Sequence, residues 1–380
     1  MNSGCPRGGV TRIGAQLYRR MVLVCLLIGV SLSLVPGLAR GQEKGAKTGK
    51  TPGQEQKPKA DKPPKKEWTP IKPGAEVDAK NAATTWVNEP PPGSLVPGQV
   101  HTTFFSKAMG REVGYCIYLP PDYQKNTKRR YPVIYSLHGS GGNELTYQLQ
   151  TQVLHEGILD GRWPPMILVH PNGGRTTFYK DSADGKYPIE TMIIREFIPH
   201  IDATYRTIAS REGRAIQGFS MGGRGATRLA MKYPDMFCSL FNQSGNVVHV
   251  SELYDPAHPD TFPTSYLGLD RQRFIDNDSF LLLQKNLAKI KGRMRIQIMC
   301  GTEDSHHLPS VRDFHNALLK AGVDHTYIEL EGLEHEHDKM VNLYRRIWFD
   351  YHVESFRRAS EAANAAGKGE SLTRGWGQMK

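Results

Sequence analysis

The chain has 380 residues, with 49 Lys and Arg against 38 Asp and Glu, and a formal net charge of +11. Residues 1–80 hold 15 of the basic and 6 of the acidic residues, which leaves 34 and 32 for residues 81–380. The basic character therefore belongs to the N-terminal extension. The nearly neutral remainder argues against a nucleic-acid-binding protein, and we expect no nucleic-acid partner.

Residues 1–41 have the pattern of an export signal. Arg12, Arg19 and Arg20 precede a mostly apolar run at residues 21–35, which is short for a bilayer span and typical of a signal peptide. Ala39 and Gly41, small residues on either side of Arg40, predict cleavage before Gln42, and Gly37-Leu38-Ala39 offers a second site. An uncleaved N-terminal anchor is the alternative. Both interpretations predict an exported protein, periplasmic or extracellular.

Residues 42–97 have the composition of a disordered linker. Residues 42–75 contain nine Lys, six Pro and almost no large apolar side chain, and a second Pro-rich stretch covers residues 89–97. Such a segment buries too little apolar surface to offset the entropy lost on ordering. We expect a spacer, with contact between the basic linker and an anionic cell-surface polymer as the alternative.

Residues 98–358 have the alternating strand and helix patterns of an α/β domain. Short runs rich in Val, Ile and Tyr predict strands at 113–119, 132–137, 166–169, 215–218, 238–242, 295–300 and 326–330. Helical patterns lie between and after them, at 189–205, 223–233, 280–290, 310–321 and 339–356. Near-continuous apolar strands predict a mostly parallel central sheet with helices on both faces. The first strands lack room for a connecting helix, so the leading edge should be antiparallel. Residues 359–380 are predicted to form a flexible tail.

Three cysteines lie outside the signal: Cys116, Cys238 and Cys300. All three occur in apolar, strand-like runs, and their number is odd. We predict buried free thiols, with one disulfide as the alternative.

The central chemical signal is the sequence Gly218-Phe-Ser220-Met-Gly222, which follows an apolar strand and precedes a helix. A serine at the tip of such a turn has a strained backbone, and side chains larger than hydrogen two residues away on either side would collide with neighbouring strands. The turn also places the hydroxyl at a helix N-terminus, where free N–H groups favour negative charge. We predict that Ser220 is a nucleophile in an α/β-hydrolase fold.

A serine hydroxyl needs a base and an acid that orients it. In this fold they follow the serine in the order acid, then histidine, each on a loop after a later strand. The strand at 295–300 is followed by Glu303 and Asp304, of which Asp304 is the predicted acid and Glu303 the alternative. The strand at 326–330 is followed by His335 and His337.

His335 is the predicted base, because it lies nearer the strand end, and His337 is the reserve. A metal site at this His-x-His pair is a further alternative, but no third ligand stands at an obvious spacing. We expect no metal and no cofactor. His306 and His307, just after the acid, are expected at the pocket rim or facing solvent.

Acyl transfer also needs N–H donors for the oxyanion. One should be the backbone N–H of Met221, the residue after the nucleophile. The second is predicted at Ser140, within the glycine-rich sequence His138-Gly-Ser-Gly-Gly142 that follows the strand at 132–137. His138 itself is expected to pack beneath this loop.

Together these motifs resemble an esterase family of α/β-hydrolases that includes feruloyl and acetyl-xylan esterases, S-formylglutathione hydrolase, enterochelin esterases and mycolyltransferases. The resemblance covers about residues 100–356 and rests on LHGSGG (137–142), VHPNGG (169–174), EFIPHIDATYR (196–206), GRAIQGFSMGG (213–223), KYPDMF (232–237), GTED (301–304) and EGLEH (331–335). It implies a Ser220–Asp304–His335 triad with oxyanion donors at Ser140 and Met221. Glu334 departs from the glycine common in the family, and the aromatic residue that often follows the histidine is absent.

We therefore expect an exported serine esterase that hydrolyses carboxylic esters through an acyl-enzyme. Export on a tether suits esters linked to polysaccharide, which is an argument from analogy. Phe178, Tyr179 and Asp181 are candidates for an acyl or sugar subsite, or else pack their own loop. The alternatives are an acyltransferase to a sugar acceptor, a serine peptidase of related fold, and a non-catalytic surface module.

Overall fold

The computed structural model describes residues 80–367. The predicted signal peptide, residues 42–79 of the predicted linker and residues 368–380 of the predicted tail lie outside the described residues. None of the helices within 80–367 combines the length and the hydrophobicity needed to cross a bilayer.

Eight strands form one sheet in the order β1-β2-β4-β3-β5-β6-β7-β8. The strands are β1 (Gln99–Ser106), β2 (Arg111–Tyr118), β3 (Val133–Leu137), β4 (Ile167–Pro171), β5 (Arg214–Phe219), β6 (Ser239–Gln243), β7 (Arg295–Gly301) and β8 (His325–Leu330). β1 pairs with β2 and β2 with β4 in antiparallel fashion, whereas all later pairs are parallel. The predicted parallel sheet with an antiparallel leading edge is confirmed.

Helices cover both faces of the sheet, as predicted. They are α1 (Gln148–Leu159), α2 (Ile189–Thr191), α3 (Ile198–Thr204), α4 (Met221–Lys232), α5 (Thr264–Leu267), α6 (Arg271–Ile275), α7 (Ser279–Lys285), α8 (Leu287–Ile290), α9 (Leu308–Ala321), α10 (His337–Leu343) and α11 (Asp350–Ala365). A π-helical segment, Met192–Phe197, joins α2 to α3, and 3₁₀ turns occupy Arg211–Gly213 and Val250–Leu253.

The core lies in two layers because successive strand residues point to opposite faces. In β3, Val133, Tyr135 and Leu137 pack with the helices from α2 to α4 and with α7 and α9. Ile134 points the other way, into the layer formed by α1, α10 and α11. Cys116, Cys238 and Cys300 are buried and free, so the prediction of free thiols is confirmed.

The predicted helix at 189–205 is one helical segment with a π-helical middle. Pro199 lies in the first turn of α3. A proline inside a helix lacks the N–H for its own hydrogen bond and crowds the carbonyl four residues earlier, here that of Arg195. The π-segment contains Arg195 and accommodates this conflict.

Two other predicted helices are broken in the structure. The predicted helix at 280–290 divides at Asn286, whose side-chain amide donates to the Met231 carbonyl at 2.8 Å. The predicted helix at 339–356 divides between α10 and α11, where Trp348 and Phe349 turn into the core. In both places tertiary contacts outweigh the local helical pattern.

Part of the predicted linker is folded. Trp86 is only 8% exposed, and Asn88 donates from its backbone and side chain to the buried Glu144 carboxylate at 2.8 and 2.9 Å. Asn81 accepts a hydrogen bond from the Thr176 N–H at 2.9 Å. The prediction of disorder is therefore wrong for residues 81–97, which form a strap over the domain.

The predicted end of the domain at residue 358 is also too early. Helix α11 continues to Ala365, Ser360 is buried, and Ala359 packs against the core. The sequence predicted a flexible tail at 359–365 because the side chains there are mostly small and have little apolar area to bury. They are instead the packed last turns of a helix.

A buried ion pair fixes α4 to α2. Arg228 and Glu190 have side chains 1% and 8% exposed, and Glu190 also accepts from Lys232 Nζ at 2.7 Å and Tyr233 Oη at 2.5 Å. Burial raises the pKa of Glu190, but the charges of Arg228 and Lys232 and the hydrogen bonds from Lys232 and Tyr233 outweigh burial and lower it to about 2.

We expect Glu190→Gln to lower the free energy of unfolding by about 3–5 kcal/mol at neutral pH, because Arg228 is left buried without its counter-charge. Chemical denaturation measures this change. Since the folded-state pKa of Glu190 is depressed, its contribution is present above the unfolded pKa of about 4.3 and is lost as pH falls toward 2. Glu361→Gln, which removes an exposed pair with Arg357, should cost at most about 1 kcal/mol. Equal losses of unfolding free energy in the two variants would contradict a stabilising role for the buried Arg228–Glu190 pair.

Candidate active site

Ser220 lies at the junction of β5 and α4, in the strained turn that its motif predicts. Its φ is 57° and its ψ is −121°. The Ser220 N–H donates to the Gln243 carbonyl at 2.9 Å, which ties the turn to the end of β6. A Cβ on Gly218 would lie 2.4 Å from the Gly222 carbonyl carbon, and a Cβ on Gly222 would lie 2.0 Å from the Leu137 carbonyl oxygen. The two glycines are therefore required by close backbone approach.

Asp304 and His335 are brought together by the loops after β7 and β8. His335 Nδ1 lies 2.6 Å from Asp304 Oδ2, and Asp304 is 3% exposed. Backbone hydrogen bonds from Thr302 to Leu330 (2.9 Å) and from Glu303 to Leu333 (3.0 Å) join the two loops. The Glu303 side chain is exposed. Of the two candidate acids, the geometry therefore brings only Asp304 to a histidine.

The His335 ring packs on Phe219, the residue before Ser220, with ring centroids 4.4 Å apart. This contact holds the imidazole against the nucleophile turn. Its Nδ1 is engaged by Asp304, so Nε2 is the ring nitrogen left for proton exchange. Within residues 80–367, Ser220 Oγ forms no hydrogen bond to either ring nitrogen. Catalytic hydrogen bonds are often long in the free enzyme and tighten with substrate.

His337 lies in a different environment. It is 7% exposed, and its ring packs against Tyr147 with centroids 4.0 Å apart and an interplanar angle of 32°. Its Nδ1 lies 3.0 Å from Asp338 Oδ1 rather than near Asp304. Burial lowers the pKa of His337. The structure therefore separates the two histidines that the sequence left as alternatives, one on the acid and one in the core.

His307, expected from the sequence only at the pocket rim or facing solvent, contacts the acid itself. Its Nδ1 lies 2.7 Å from Asp304 Oδ1, so the carboxylate contacts two imidazoles, one on each oxygen. The rings of His307 and His335 are stacked, with centroids 4.1 Å apart and an interplanar angle of 7°. His306, its neighbour, is exposed as expected. The signal for His307 was its position three residues after Asp304, at the start of α9.

These contacts set the charge state of the acid. Burial raises the pKa of the Asp304 carboxyl, but the hydrogen bonds from His335 and His307 outweigh burial and lower it overall. Burial lowers the pKa of His307, against the hydrogen bond to Asp304, which raises it. At neutral pH the centre therefore contains an ionised Asp304 in contact with two imidazoles, and that of His307 is largely uncharged. The described residues with ligand atoms close enough to share a metal ion are these same three.

The glycine-rich loop that carries Ser140 lies against Ser220, and Met221 directly follows it in the chain. A Cβ on Gly139 would lie 3.3 Å from Ser220 Cβ, so the glycine-rich loop is in contact with the nucleophile. The Gly139 N–H donates to Tyr147 Oη at 2.8 Å, and the Gly141 N–H donates to the Arg175 carbonyl at 2.8 Å. The N–H groups of Ser140 and Met221 have no acceptor within the described part of the chain.

His138 supports this loop from beneath, as expected. Its Nε2 accepts from the Gly173 N–H at 2.9 Å, and its Nδ1 contacts the Gly139 carbonyl at 2.9 Å. Burial lowers the pKa of His138 to about 4, so the ring is neutral and carries its proton on Nδ1. Tyr179, fully buried, donates to the His138 carbonyl at 3.1 Å.

The three subsite candidates divide into two groups. Tyr179 is buried, and Asp181 accepts from the Thr191 N–H and hydroxyl at 3.0 and 2.6 Å, so both pack their own loop. Phe178 is half-buried, with its ring 5.1 Å from that of Phe262 and 4.9 Å from the Arg224 guanidinium. Phe178 therefore contacts α4, the helix that begins directly after Ser220.

With this geometry in place, comparison with known proteins decides the family. A sequence model described as "Putative esterase" matches residues 106–339, more than half of the chain. The chain belongs to this esterase family. Its eight-stranded sheet and the two loops that meet at Asp304 lie within or adjoin the matched residues.

Curated relatives match shorter stretches. An esterase of Mycobacterium tuberculosis is 37% identical over 145 residues, which is 37% of this chain and 31% of the relative. An endo-1,4-beta-xylanase/feruloyl esterase of Xylanibacter ruminicola is 34% identical over 163 residues, 40% of this chain and 22% of the relative. The aligned region thus spans a third or less of the length of these relatives.

Solved structures agree on the fold. A ferulic acid esterase aligns with a TM-score of 0.56 and 26% identity, over 67% of this chain and 98% of the other. An S-formylglutathione hydrolase from Agrobacterium tumefaciens aligns with a TM-score of 0.53 and 21% identity, over 68% and 95% of the two chains. The α/β-hydrolase fold predicted from the sequence is confirmed.

Proposed function

We propose that the chain is a serine esterase that hydrolyses carboxylic esters, with Ser220 as nucleophile, His335 as base and Asp304 as the acid that orients it. The observation that carries the proposal is the 2.6 Å contact between Asp304 Oδ2 and His335 Nδ1, made by a ring packed against the residue before Ser220. Membership of the esterase family supports the reaction class.

The reaction follows from these positions. His335 Nε2 takes the proton of Ser220 Oγ as that oxygen bonds to the ester carbonyl carbon. The carbonyl oxygen becomes an oxyanion, which the free N–H groups of Ser140 and Met221 stabilise. Collapse of this tetrahedral intermediate breaks the bond between the carbonyl carbon and the alcohol oxygen, and the alcohol leaves with the proton from His335. Water, deprotonated by His335, then attacks the acyl-enzyme, and the carboxylic acid and free Ser220 are released.

For the substrate we propose an ester carried by a polysaccharide, with an aromatic acyl group such as ferulate. Three observations support this. The Xylanibacter ruminicola relative is named as a xylanase/feruloyl esterase, and the 26% identical structure is a ferulic acid esterase. In this chain, Phe178 and Phe262 form a half-buried aromatic pair, and Phe178 also contacts Arg224 of α4, the helix that follows Ser220. We propose that an aromatic acyl group stacks on this pair.

The test is hydrolysis by the full chain of p-nitrophenyl acetate, butyrate and octanoate, methyl ferulate, and feruloylated arabinoxylan oligosaccharides. We expect turnover of the model esters and the highest kcat/KM for the feruloylated oligosaccharide. Phe178→Leu should raise KM for methyl ferulate more than for p-nitrophenyl acetate. A preference for octanoate, or equal KM effects on both esters, would reject the aromatic substrate. Accumulation of acylated sugar instead of free acid would show transfer rather than hydrolysis.

We propose that His307 is a positioning residue that holds Asp304 ionised and in place for His335. His307→Leu should lower kcat by about tenfold with KM nearly unchanged, because a hydrogen bond to a charged group is lost. It should also move the acidic limb of the kcat/KM profile to higher pH, since His307 helps to lower the pKa of Asp304. His307→Asn, which keeps an N–H at a similar position, should recover most of the native kcat and most of the native pH profile. An unchanged pH profile in His307→Leu would contradict this role.

We propose that the protein is exported and that residues 42–79 tether the domain. The basis is the arginine-led apolar run at 21–35 and the Lys- and Pro-rich composition after it. Expressed from the full reading frame, the protein should be recovered outside the cytoplasm, and N-terminal sequencing should begin at Gln42. A mature protein that retains residues 1–41 and stays with the membrane fraction would favour the anchor. Binding of the basic tether to an anionic cell-surface polymer should weaken with salt.

A further inference from the structure

A cavity of about 520 Å³ lies at the end of the sheet where the parallel strands begin, opposite the end that carries Ser220. Its lining comes from segments that precede strands rather than follow them: the 3₁₀ turn before β5, Cys238 before β6, residues 292–295 at the start of β7 and Asp324 before β8. Helix α11 closes the cavity with the small side chains of Ser355, Ala359, Ala362 and Ala363. Because Ser220 lies at the carboxyl end of β5, this cavity is separate from the candidate active site.

Four arginines line the cavity, Arg211, Arg293, Arg295 and Arg358, against two acidic residues, Glu212 and Asp324. The lining therefore carries a formal charge of +2. Two of the arginines are occupied elsewhere: Arg358 Nε donates to Glu354 at 2.6 Å, and Arg293 Nη1 to Asp235 at 3.4 Å.

The other two guanidinium groups hold unused donors. The Arg211 side chain is 10% exposed, and its nearest acidic oxygen, Glu212 Oε1, is 3.7 Å from Nη1. Its Nε and Nη2 atoms are buried without an acceptor within residues 80–367, and so is Nη1 of Arg295. The Arg295 guanidinium is held over the Tyr351 ring at 4.5 Å. Burial lowers the pKa of Arg211.

Buried polar groups in native proteins nearly always have partners, and a buried charged group without one is costly. The planar fork of a guanidinium matches the oxygens of a carboxylate or a phosphate. We propose that this cavity is a binding site for an oxyanion group of a small molecule, held by Arg211 and Arg295. The alanines of α11 and Met294 leave room for a small apolar body attached to the anion.

The test is titration of the full chain with inorganic phosphate and with citrate by calorimetry and by thermal unfolding, with chloride at the same ionic strength as reference. We expect saturable binding and a rise in Tm with at least one of the two anions. Arg211→Gln and Arg295→Gln should each weaken binding at least about tenfold. The control is Arg357→Gln, on an exposed part of α11, where Arg357 pairs with Glu354 and Glu361.

Ala362→Leu provides a second variant, which fills the cavity without removing a charge and should also abolish binding. Tighter binding of phosphate than of citrate would assign a phosphate-bearing ligand, and the reverse a carboxylate. Ester hydrolysis should be unchanged in Arg211→Gln, which distinguishes this site from the candidate active site. No saturable binding of either anion, or equal binding by Arg211→Gln and Arg357→Gln, would overturn the proposal.

Discussion

Replacement of Ser220 by alanine is expected to lower kcat for p-nitrophenyl acetate by about 10⁴–10⁶, with little change in fold stability. The only heavy atom removed is Oγ, and it is the atom that we propose bonds to the substrate carbonyl carbon. Alanine should accept the φ of 57° about as poorly as serine does, so the strained turn between β5 and α4 gains no relief. Steady-state kinetics over a pH range from 6 to 9 would measure the loss.

Ser140→Ala is the matched control for this experiment. We propose that Ser140 acts through its backbone N–H, which alanine keeps, so activity should stay within about threefold of the native protein. A fluorophosphonate probe should label the native chain and Ser140→Ala but not Ser220→Ala. Retention of more than a tenth of the native kcat in Ser220→Ala would reject the serine mechanism.

The parts of the site that could be predicted from the sequence are those set by local backbone geometry. Gly218 and Gly222 must lack side chains because their α-carbons approach backbone atoms closely. The spacing of the two glycines around Ser220 reflects this requirement. The loop positions of Asp304 and His335 follow from the strand order of the fold. Their contact is also built from backbone: a Cβ on Gly301 would lie 2.0 Å from the Leu333 carbonyl oxygen, so the glycine lets the two loops meet.

The elements that were missed depend on polar contacts between distant segments. Helix α1 buries Gln150 and Thr151, so it has no continuous apolar stripe. The Gln150 amide donates to Ser136 Oγ at 2.7 Å and its carbonyl accepts from Gln217 at 2.8 Å, partners that no periodicity indicates. The strap at 81–97 is likewise held by Glu144, 56 residues from Asn88.

The choice between the two histidines was open for the same reason. Both follow β8 within a few residues, and spacing alone gives only a weak preference for His335. What distinguishes them is the direction in which the chain turns. His337 is the first residue of α10, and the start of that helix directs its ring into the layer with Tyr147 and Trp348. His335 remains on the loop, facing Asp304.

We therefore expect His335→Ala to lower kcat by about 10⁴ or more while the fold stays intact, because the base is lost and the Asp304 carboxylate can still bind water and His307. His337→Ala should instead lose stability and keep most of its activity. Loss of a buried ring packed on Tyr147 should cost about 2–4 kcal/mol of unfolding free energy, with kcat per folded molecule within about tenfold of native. Active-site titration, which counts folded and competent enzyme, separates these two effects.

His337→Phe refines this comparison, because it keeps an aromatic ring in the core and removes both ring nitrogens. His337 Nε2 is buried without a partner in the described part of the chain, so phenylalanine loses no hydrogen bond at that atom. Only the 3.0 Å contact of Nδ1 with the exposed Asp338 is given up. His337→Phe should therefore be nearly as stable as the native protein and fully active. If it instead lost activity while His335→Ala kept it, His337 would be the base, and the 2.6 Å contact between His335 and Asp304 would be structural.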